Sequence, residues 1–396
     1  MAVATLDDLL RDPGVRGLRV FVRADLNVPL AGGEVSDDTR IRAALPTLRK
    51  LLAGGARVVL ASHLGRPGGA PKLELSLAPV ARRLEERLGR PVQFCPEVVG
   101  ERATQATRDL SDGELVLLEN LRFEPGETKN DPALASRLAE LADVYVNDAF
   151  GTAHRAHAST AGMVEHFERV AAGDLLRGEL RHLGVVLDPK RPLLCLLGGA
   201  KVSDKLSVLE ALAPHADVLC IGGAMAYTFL RAQGEATGAS LVEEDRLDDA
   251  RRVLAAAEGA GRKVLLPTDH VVAERLDADA ETTVVRAIPE GQMGLDIGPE
   301  TAERYAAEAS AASTVFWNGP MGVFELEPFA GGTEHVASAV ASSNAISVVG
   351  GGDSLAAINK LDLGDRITHL STGGGASLEY VQGLPLPGVT ALERKP

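Results

Sequence analysis

Four segments hold the side chains best equipped for chemistry in the first half of the chain: residues 23–29, 62–67, 119–123 and 147–157. Each follows a short apolar run directly, and open parallel sheets bind ligands beyond the carboxyl ends of their strands. If those runs are neighbouring strands, Arg66, Arg122, Arg155 and His63 converge on one sheet edge with Arg40 close by. Clustered guanidinium forks suit a phosphate or a carboxylate, because each can donate two parallel hydrogen bonds. A single arginine after a strand is ordinarily a solvated or ion-paired surface group. Its recurrence at several successive turns points to a site for a small polyanion. His154 and His157 stand three apart without a third ligand at metal spacing, so a structural or anion-binding role is favoured over zinc.

The second half uses other devices. Residues 198–205 read Gly-Gly-Ala-Lys-Val-Ser-Asp-Lys after one apolar run and before a helical pattern, which places Lys201 and Lys205 on one face of a helix near its N-terminus. Glycines also follow apolar runs at Gly222 and Gly223, at Gly294, in residues 316–325, at residues 350–352 ahead of Asp353 and Ser354, and at residues 373–375. One such turn usually serves a tight corner. Their repetition at strand ends points to a nucleotide, since glycine lets the backbone approach a phosphate or base closely. The chain carries neither a G-x-x-x-x-G-K-[ST] loop nor a G-x-G-x-x-G fingerprint, so the nucleotide would be held by another pattern. G-x-S-x-G and H-E-x-x-H are likewise missing, which disfavours common hydrolases and zinc proteases.

The elements that must position these residues alternate. Strands are expected at residues 18–22, 57–62, 115–119 and 143–147, and again at 193–197, 218–221, 263–266, 314–317 and 345–349. Helical spacing occupies residues 39–52, 77–88 and 247–260. Strands apolar on both faces, alternating with helices, imply parallel sheets covered on both sides. The expected fold is therefore α/β, with two doubly wound parallel-sheet (Rossmann-like) domains, an interdomain helix and a cleft. The boundaries expected are residues 1–172 for the first domain, 173–187 for the helix, 188–380 for the second domain and 381–396 for a tail returning towards the first. Asp188-Pro189 stops the helix, because the residue before proline is pushed out of the helical region.

A length of 396 residues supports two domains, and 45% hydrophobic with 24% charged residues excludes disordered and fibrous classes. The net charge of −14 argues against nucleic acid or an anionic membrane as partner. It is distributed unevenly, −2 over residues 1–185 and −12 over residues 186–396. Cys95, Cys195 and Cys220 show no C-x-x-C spacing, and with no secretory signal or membrane-length apolar run the expectation is a reduced, cytoplasmic setting.

Taken together, residues 23–29 with 37–41, 62–67, 119–123, 147–159, 198–206, 316–325, 350–354 and 372–379 resemble the phosphoglycerate kinases, in order and nearly end to end. Departures are small: Ala24 and Leu26 stand where Val and Phe are commoner in the family, and Thr268 is less usual. The resemblance implies reversible, in-line phosphoryl transfer between ATP and 3-phosphoglycerate, forming 1,3-bisphosphoglycerate and ADP, with Mg²⁺, domain closure and a monomeric chain. It implies that His63, Arg66, Arg122 and Arg155 clamp the stable phosphate, that Asp25 and Asn27 hold the hydroxyl end, and that Arg40 faces the reacting carboxyl group. Gly199, Ala200, Gly222, Gly223, Gly294, Leu295 and Val323 would line the adenosine slot and Glu325 would accept the ribose hydroxyls. Lys201, Lys205 and Asn318 would contact phosphates, and Asp353, beside Gly351, Gly352 and Ser354, would direct Mg²⁺. Residues 373–375, with Gly374 at the centre, would start a helix aimed at the transferring group. The rival expectation is a non-catalytic nucleotide-binding scaffold of the same fold. Such a protein would be expected to have lost Arg40, Lys201 or Asp353, and all three are present.

Overall fold

The computed structural model describes residues 3–11 and 13–393. The chain divides into two compact units, Met1–Arg181 with Pro385–Pro396, and His182–Leu384.

The first unit is built on a six-stranded sheet in the order Gln93–Cys95, Leu115–Leu118, Arg57–Ala61, Arg19–Ala24, Val144–Asp148, Val170–Ala172. Every pairing is parallel. The strands run apolar on both faces because helices cover both; Val20, Phe21 and Val22 are fully buried. Leu45, Leu48 and Leu51 of the Thr39–Ala53 helix supply one layer of that core against Val22, Val58 and Leu60. Arg23 pairs with Ala61 on one side and with Asn147 on the other. The chain therefore leaves three neighbouring strands at one level, and the loops that start with Asp25, Ser62 and Ala149 share a sheet edge.

The second unit repeats the plan with the strand order Lys263–Leu265, Val218–Ile221, Leu193–Leu197, Thr314–Asn318, Ile346–Gly350, His369–Ser371, again all parallel. The order reverses between Leu193–Leu197 and Thr314–Asn318, which makes the ends of those two strands the switch point where doubly wound sheets take ligands. Trp317, Tyr305 and Val336 pack together in the core beside them.

Two features depart from the expected elements. Three short edge strands, Gln93–Cys95, Val170–Ala172 and His369–Ser371, are too brief to show a period. A separate antiparallel sheet joins His270–Ala273 to Thr283–Val285 and Met293–Ile297, where Gly294 and the buried Asp296 interrupt the apolar signal.

The helix Asp174–Leu187 contains the division between the units. Its start is fixed by a carboxylate: Asp148 Oδ1 accepts from the backbone N–H groups of Leu175 at 2.9 Å and Leu176 at 3.2 Å. Gly173 makes the approach possible, since a Cβ there would lie 2.1 Å from the same oxygen. The closing residues of the described chain are not a plain tail. They include the short helix Pro387–Thr390, and Gly388 is held by Ala153 O at 2.8 Å and Asn147 Nδ2 at 3.1 Å. Among the described residues, no helix is long and apolar enough to cross a membrane.

Candidate active site

The loops at the carboxyl edge of the first sheet bring the seven expected anion-site residues together. Asn27 Oδ1 accepts from Gly65 N at 2.8 Å, and Arg122 Nη1 donates to Gly65 O at 2.7 Å, so both side chains are fixed on the turn between His63 and Arg66. Asp25, almost buried, accepts from Arg40, which sits in the first turn of the Thr39–Ala53 helix. Arg66, Arg122, Arg155 and His157 line a cavity of about 540 Å³. Arg66 and Arg155 are exposed, whereas Arg122 is partly buried and its Nε has no acceptor among the described residues. Burial, with Arg23 and Arg155 nearby, draws the Arg122 guanidinium below its ordinary range.

The floor of this site holds residues that the sequence reading did not assign a role. Arg23 is fully buried; its Nε donates to Ser159 Oγ at 2.9 Å and its Nη2 meets His63 Nδ1 at 3.2 Å. A guanidinium can only donate, so His63 Nδ1 is an acceptor and the ring proton resides on Nε2. Burial first, then the charges of Arg23, Arg122 and Arg40, holds His63 well below the usual imidazole range. His63 is thus a neutral N–H donor. His157 is pushed down to about 4 by burial and by Arg23. Below them Glu127, fully buried, accepts from Ser159 Oγ at 2.6 Å and Ser159 N at 3.0 Å. Burial raises the Glu127 carboxyl and outweighs the opposing pull of Arg23 and Ser159.

In the second unit, Gly199, Ala200, Gly223, Gly294, Leu295, Val323, Glu325 and Asp353 line a mainly apolar slot of about 360 Å³. Gly222 lies behind its wall against Met321. The remaining expected residues gather around the switch point. Lys205 Nζ donates to Asn318 O at 3.0 Å and also to Asn318 Oδ1, and Ser354 Oγ accepts from Gly319 N at 2.6 Å. Gly351, with φ +92°, would place a Cβ 3.0 Å from Asn318 Nδ2, and Gly352 follows it as the first residue of the Gly352–Lys360 helix. Gly374, with φ +55°, is exposed and precedes the Gly375–Val381 helix, whose first turn buries Ala376 and Ser377.

One expectation fails here. Lys201 and Lys205 do not share a helical face, because the helix begins only at Leu206 and residues 201–205 form the turn before it. The turn is held open by tertiary bonds: Glu243 accepts from Ser203 Oγ at 2.6 Å and Ser203 N at 3.1 Å. Lys205 reaches back to Asn318, while Lys201 is exposed. Burial lowers the Lys205 ammonium to about 8, despite Asp353 and Asp204 nearby.

The slot also contains residues that sequence reading missed. Leu241 and Leu276 form part of its wall although they are 49% and 56% exposed. In one dimension they look like any other leucine; only exposure of large apolar side chains beside a cavity distinguishes them.

An arginine-lined anion cavity on one doubly wound unit and a glycine-walled apolar slot on another define an α/β phosphotransferase. A family model for phosphoglycerate kinase matches residues 10–384. The chain is 58% identical over 389 residues to the phosphoglycerate kinase of Rubrobacter xylanophilus, covering 98% of each, and 56% identical over 398 residues to that of Moorella thermoacetica, covering 100% of each. Among solved structures, phosphoglycerate kinase from Coxiella burnetii superposes with a TM-score of 0.90 at 42% identity over 99% of each chain, and that from Pyrococcus horikoshii with 0.84 at 34% over 98% of each. The chain belongs to the phosphoglycerate kinase family.

Proposed function

We propose that the chain catalyses the reversible, glycolytic transfer of a phosphoryl group between ATP and the carboxylate of 3-phosphoglycerate, giving 1,3-bisphosphoglycerate and ADP. The match to the family over residues 10–384 carries this reading. The first unit takes the acid: His63, Arg66, Arg122 and Arg155 bind its phosphate, Asp25 and Asn27 its hydroxyl end, and Arg40 faces the carboxylate. The second takes the nucleotide: the apolar slot holds adenine, Glu325 the ribose, and Lys201, Lys205 and Asn318 the phosphates.

The acceptor is a carboxylate with a pKa near ~4, already ionised at neutral pH, so no general base is needed. Catalysis consists of aligning the acceptor oxygen with the γ-phosphorus and stabilising charge on a loose, in-line transition state. Arg40 and Lys201 supply positive charge, and the N–H groups after Gly374 supply oriented dipoles. Mg²⁺ ordinarily takes one or two carboxylates together with substrate phosphates. Asp353 fits that role, being an exposed carboxylate on the slot wall at the start of the Gly352–Lys360 helix. When bound, the cation would neutralise phosphate charge. The same reading has the protein acting on small molecules as a cytoplasmic monomer.

A coupled assay with 3-phosphoglycerate, ATP and Mg²⁺, read as NADH consumption, tests the reaction. Folded protein that stays silent in it would refute the proposal.

A further inference from the structure

A fully buried carboxylate beneath an anion site is an apparent contradiction. Glu127 is 0% exposed and lies in the same shell as Arg23, Arg122 and His157, where its charge opposes the binding of any anion above. Its contacts indicate what it contributes instead. Both oxygens of Glu127 accept from one residue, Ser159, through Oγ at 2.6 Å and N at 3.0 Å. The Ser159 hydroxyl has one proton, and Glu127 takes it. The lone pairs of Ser159 Oγ are left to accept from Arg23 Nε at 2.9 Å. Arg23, held at that end, presents Nη2 to His63 Nδ1 at 3.2 Å. Arg23 can only donate, so what the carboxylate fixes is the Ser159 hydroxyl, whose lone pairs it turns towards Arg23, and with them where Arg23 stands.

The row ends on the ring orientation of His63. With Nδ1 engaged by Arg23, the proton sits on Nε2 of a ring that is 3% exposed. Glu127 also braces the turn that carries the other basic groups. Its carbonyl accepts from Ala158 N at 2.9 Å, and its Oε1 lies 3.8 Å from His157 Nδ1. Thr160 Oγ1, in the same turn, donates to Arg155 O at 3.0 Å.

We propose that Glu127 is a positioning residue of the acid-binding site: through Ser159 it fixes Arg23 against His63 Nδ1, which keeps His63 in one tautomer, and it places the 155–160 turn, and so tunes affinity for the phosphorylated acid. This rests on the assignment of His63, Arg122 and Arg155 to that acid.

The test uses the full chain with Glu127→Gln, Ser159→Ala and Arg122→Ala variants, KM measured for 3-phosphoglycerate and for ATP, and ¹⁵N spectra of the histidine rings assigned with a His63→Asn control. Glutamine cannot accept both Ser159 bonds, because its amide nitrogen meets a donor. Losing a hydrogen bond to a charged group then predicts a rise in KM for 3-phosphoglycerate of about tenfold or more, with KM for ATP held within about twofold. His63 should pass from a single Nε2–H form to a mixture of tautomers. Ser159→Ala breaks the same row with the carboxylate retained and should give the same split, so it decides the matter if Glu127→Gln does not fold. An unchanged KM for 3-phosphoglycerate in both variants overturns the proposal, as does an equal rise in both KM values with the His63 spectrum unaltered. If Arg122→Ala also leaves KM for 3-phosphoglycerate unchanged, the site assignment falls with it; if Arg122→Ala raises that KM and the Glu127 and Ser159 variants do not, only the positioning role falls.

Discussion

As a phosphate contact of the proposed function, Lys205 would register the arrival of a nucleotide. Burial brings its ammonium down to about 8, so near that pH a large fraction of the ligand-free protein carries it neutral. A polyphosphate beside it favours the charged form and raises the pKa, so binding takes up a proton. Affinity for ADP should accordingly fall as pH rises beyond about 8, by up to tenfold per unit. Titration calorimetry at about that pH, in buffers of different ionisation enthalpy, should register proton uptake that vanishes in Lys205→Gln; zero uptake in the parent protein would sink the assignment. Lys201 and Arg40 act differently in the proposal, on charge that develops during transfer. Replacing either with alanine should lower kcat by ~10²–10³, or about 3–4 kcal/mol, with a much smaller change in substrate affinity. Steady-state kinetics yielding an unchanged kcat and a raised KM would remove that role. At this scale the arginines were legible because each of Arg66, Arg122 and Arg155 follows an apolar run, where a strand end can be inferred from order along the chain. Glu127 and Leu241 were not, since the first is bonded to Ser159 and the second is marked only by exposure beside a cavity, and neither relation has a fixed spacing.

Among the elements, the start of the Asp174–Leu187 helix carries a measurable pH signature. Asp148 caps it from a site that is 1% exposed, and burial raises its carboxyl from 3.8 to about 7. A raised carboxyl pKa means that the native state keeps a proton the unfolded chain releases. The contribution of this group should be full below about pH 4 and decline as pH climbs towards about 7. Asp148→Asn retains the accepting oxygen of the cap and removes the titration. Its melting temperature should therefore fall less between about pH 4 and 7 than the parent's; parallel melting curves for the two would count against a protonated Asp148. At the switch point of the second sheet, Gly319 adopts φ +98°, and a Cβ on it would lie 2.1 Å from Gly198 O. Gly319→Ala should thus cost about 1–3 kcal/mol in a denaturant titration and weaken ATP binding, because the backbone must shift beside Lys205 and Asn318. Alanine tolerated without loss of either would show that the close approach is dispensable. Long apolar strands and amphipathic helices were readable because burial imposes their period. The Lys201–Lys205 turn was misread as helix because Ser203 is bonded to Glu243, a partner forty residues away that no local pattern reports.

For the whole molecule, the acidic balance gave no hint of where the proposed phosphate sites lie. The half with a net charge of −12 contains the glycine-walled slot, and the half at −2 contains the arginine cavity. Global charge governs encounter over roughly a Debye length, about 8 Å at physiological salt, whereas binding is decided by groups in contact. In the proposed function those groups of the acidic half are glycine-freed N–H donors, Lys201 and Lys205, which would serve one small anion and leave the surface negative. Dividing the ligands between two units imposes a mechanical requirement. In the proposed function the first unit holds the acceptor carboxylate and the second the γ-phosphate, and a phosphorus–oxygen bond cannot form until the two come within about 3–3.5 Å. Water must also be displaced from that point, or ATP would be hydrolysed. On that proposal either substrate alone would engage one unit and both together would engage two, and only a differential affinity of this kind can shift a conformational equilibrium. The radius of gyration from solution scattering should therefore fall in the presence of 3-phosphoglycerate with a non-hydrolysable ATP analogue and change little with either alone. Substitutions at Gly173, where a Cβ would strike the Asp148 cap 2.1 Å away, should blunt that fall while leaving the binding of each single ligand intact. Superimposable profiles for the free protein and the ternary complex would mean that transfer proceeds without closure.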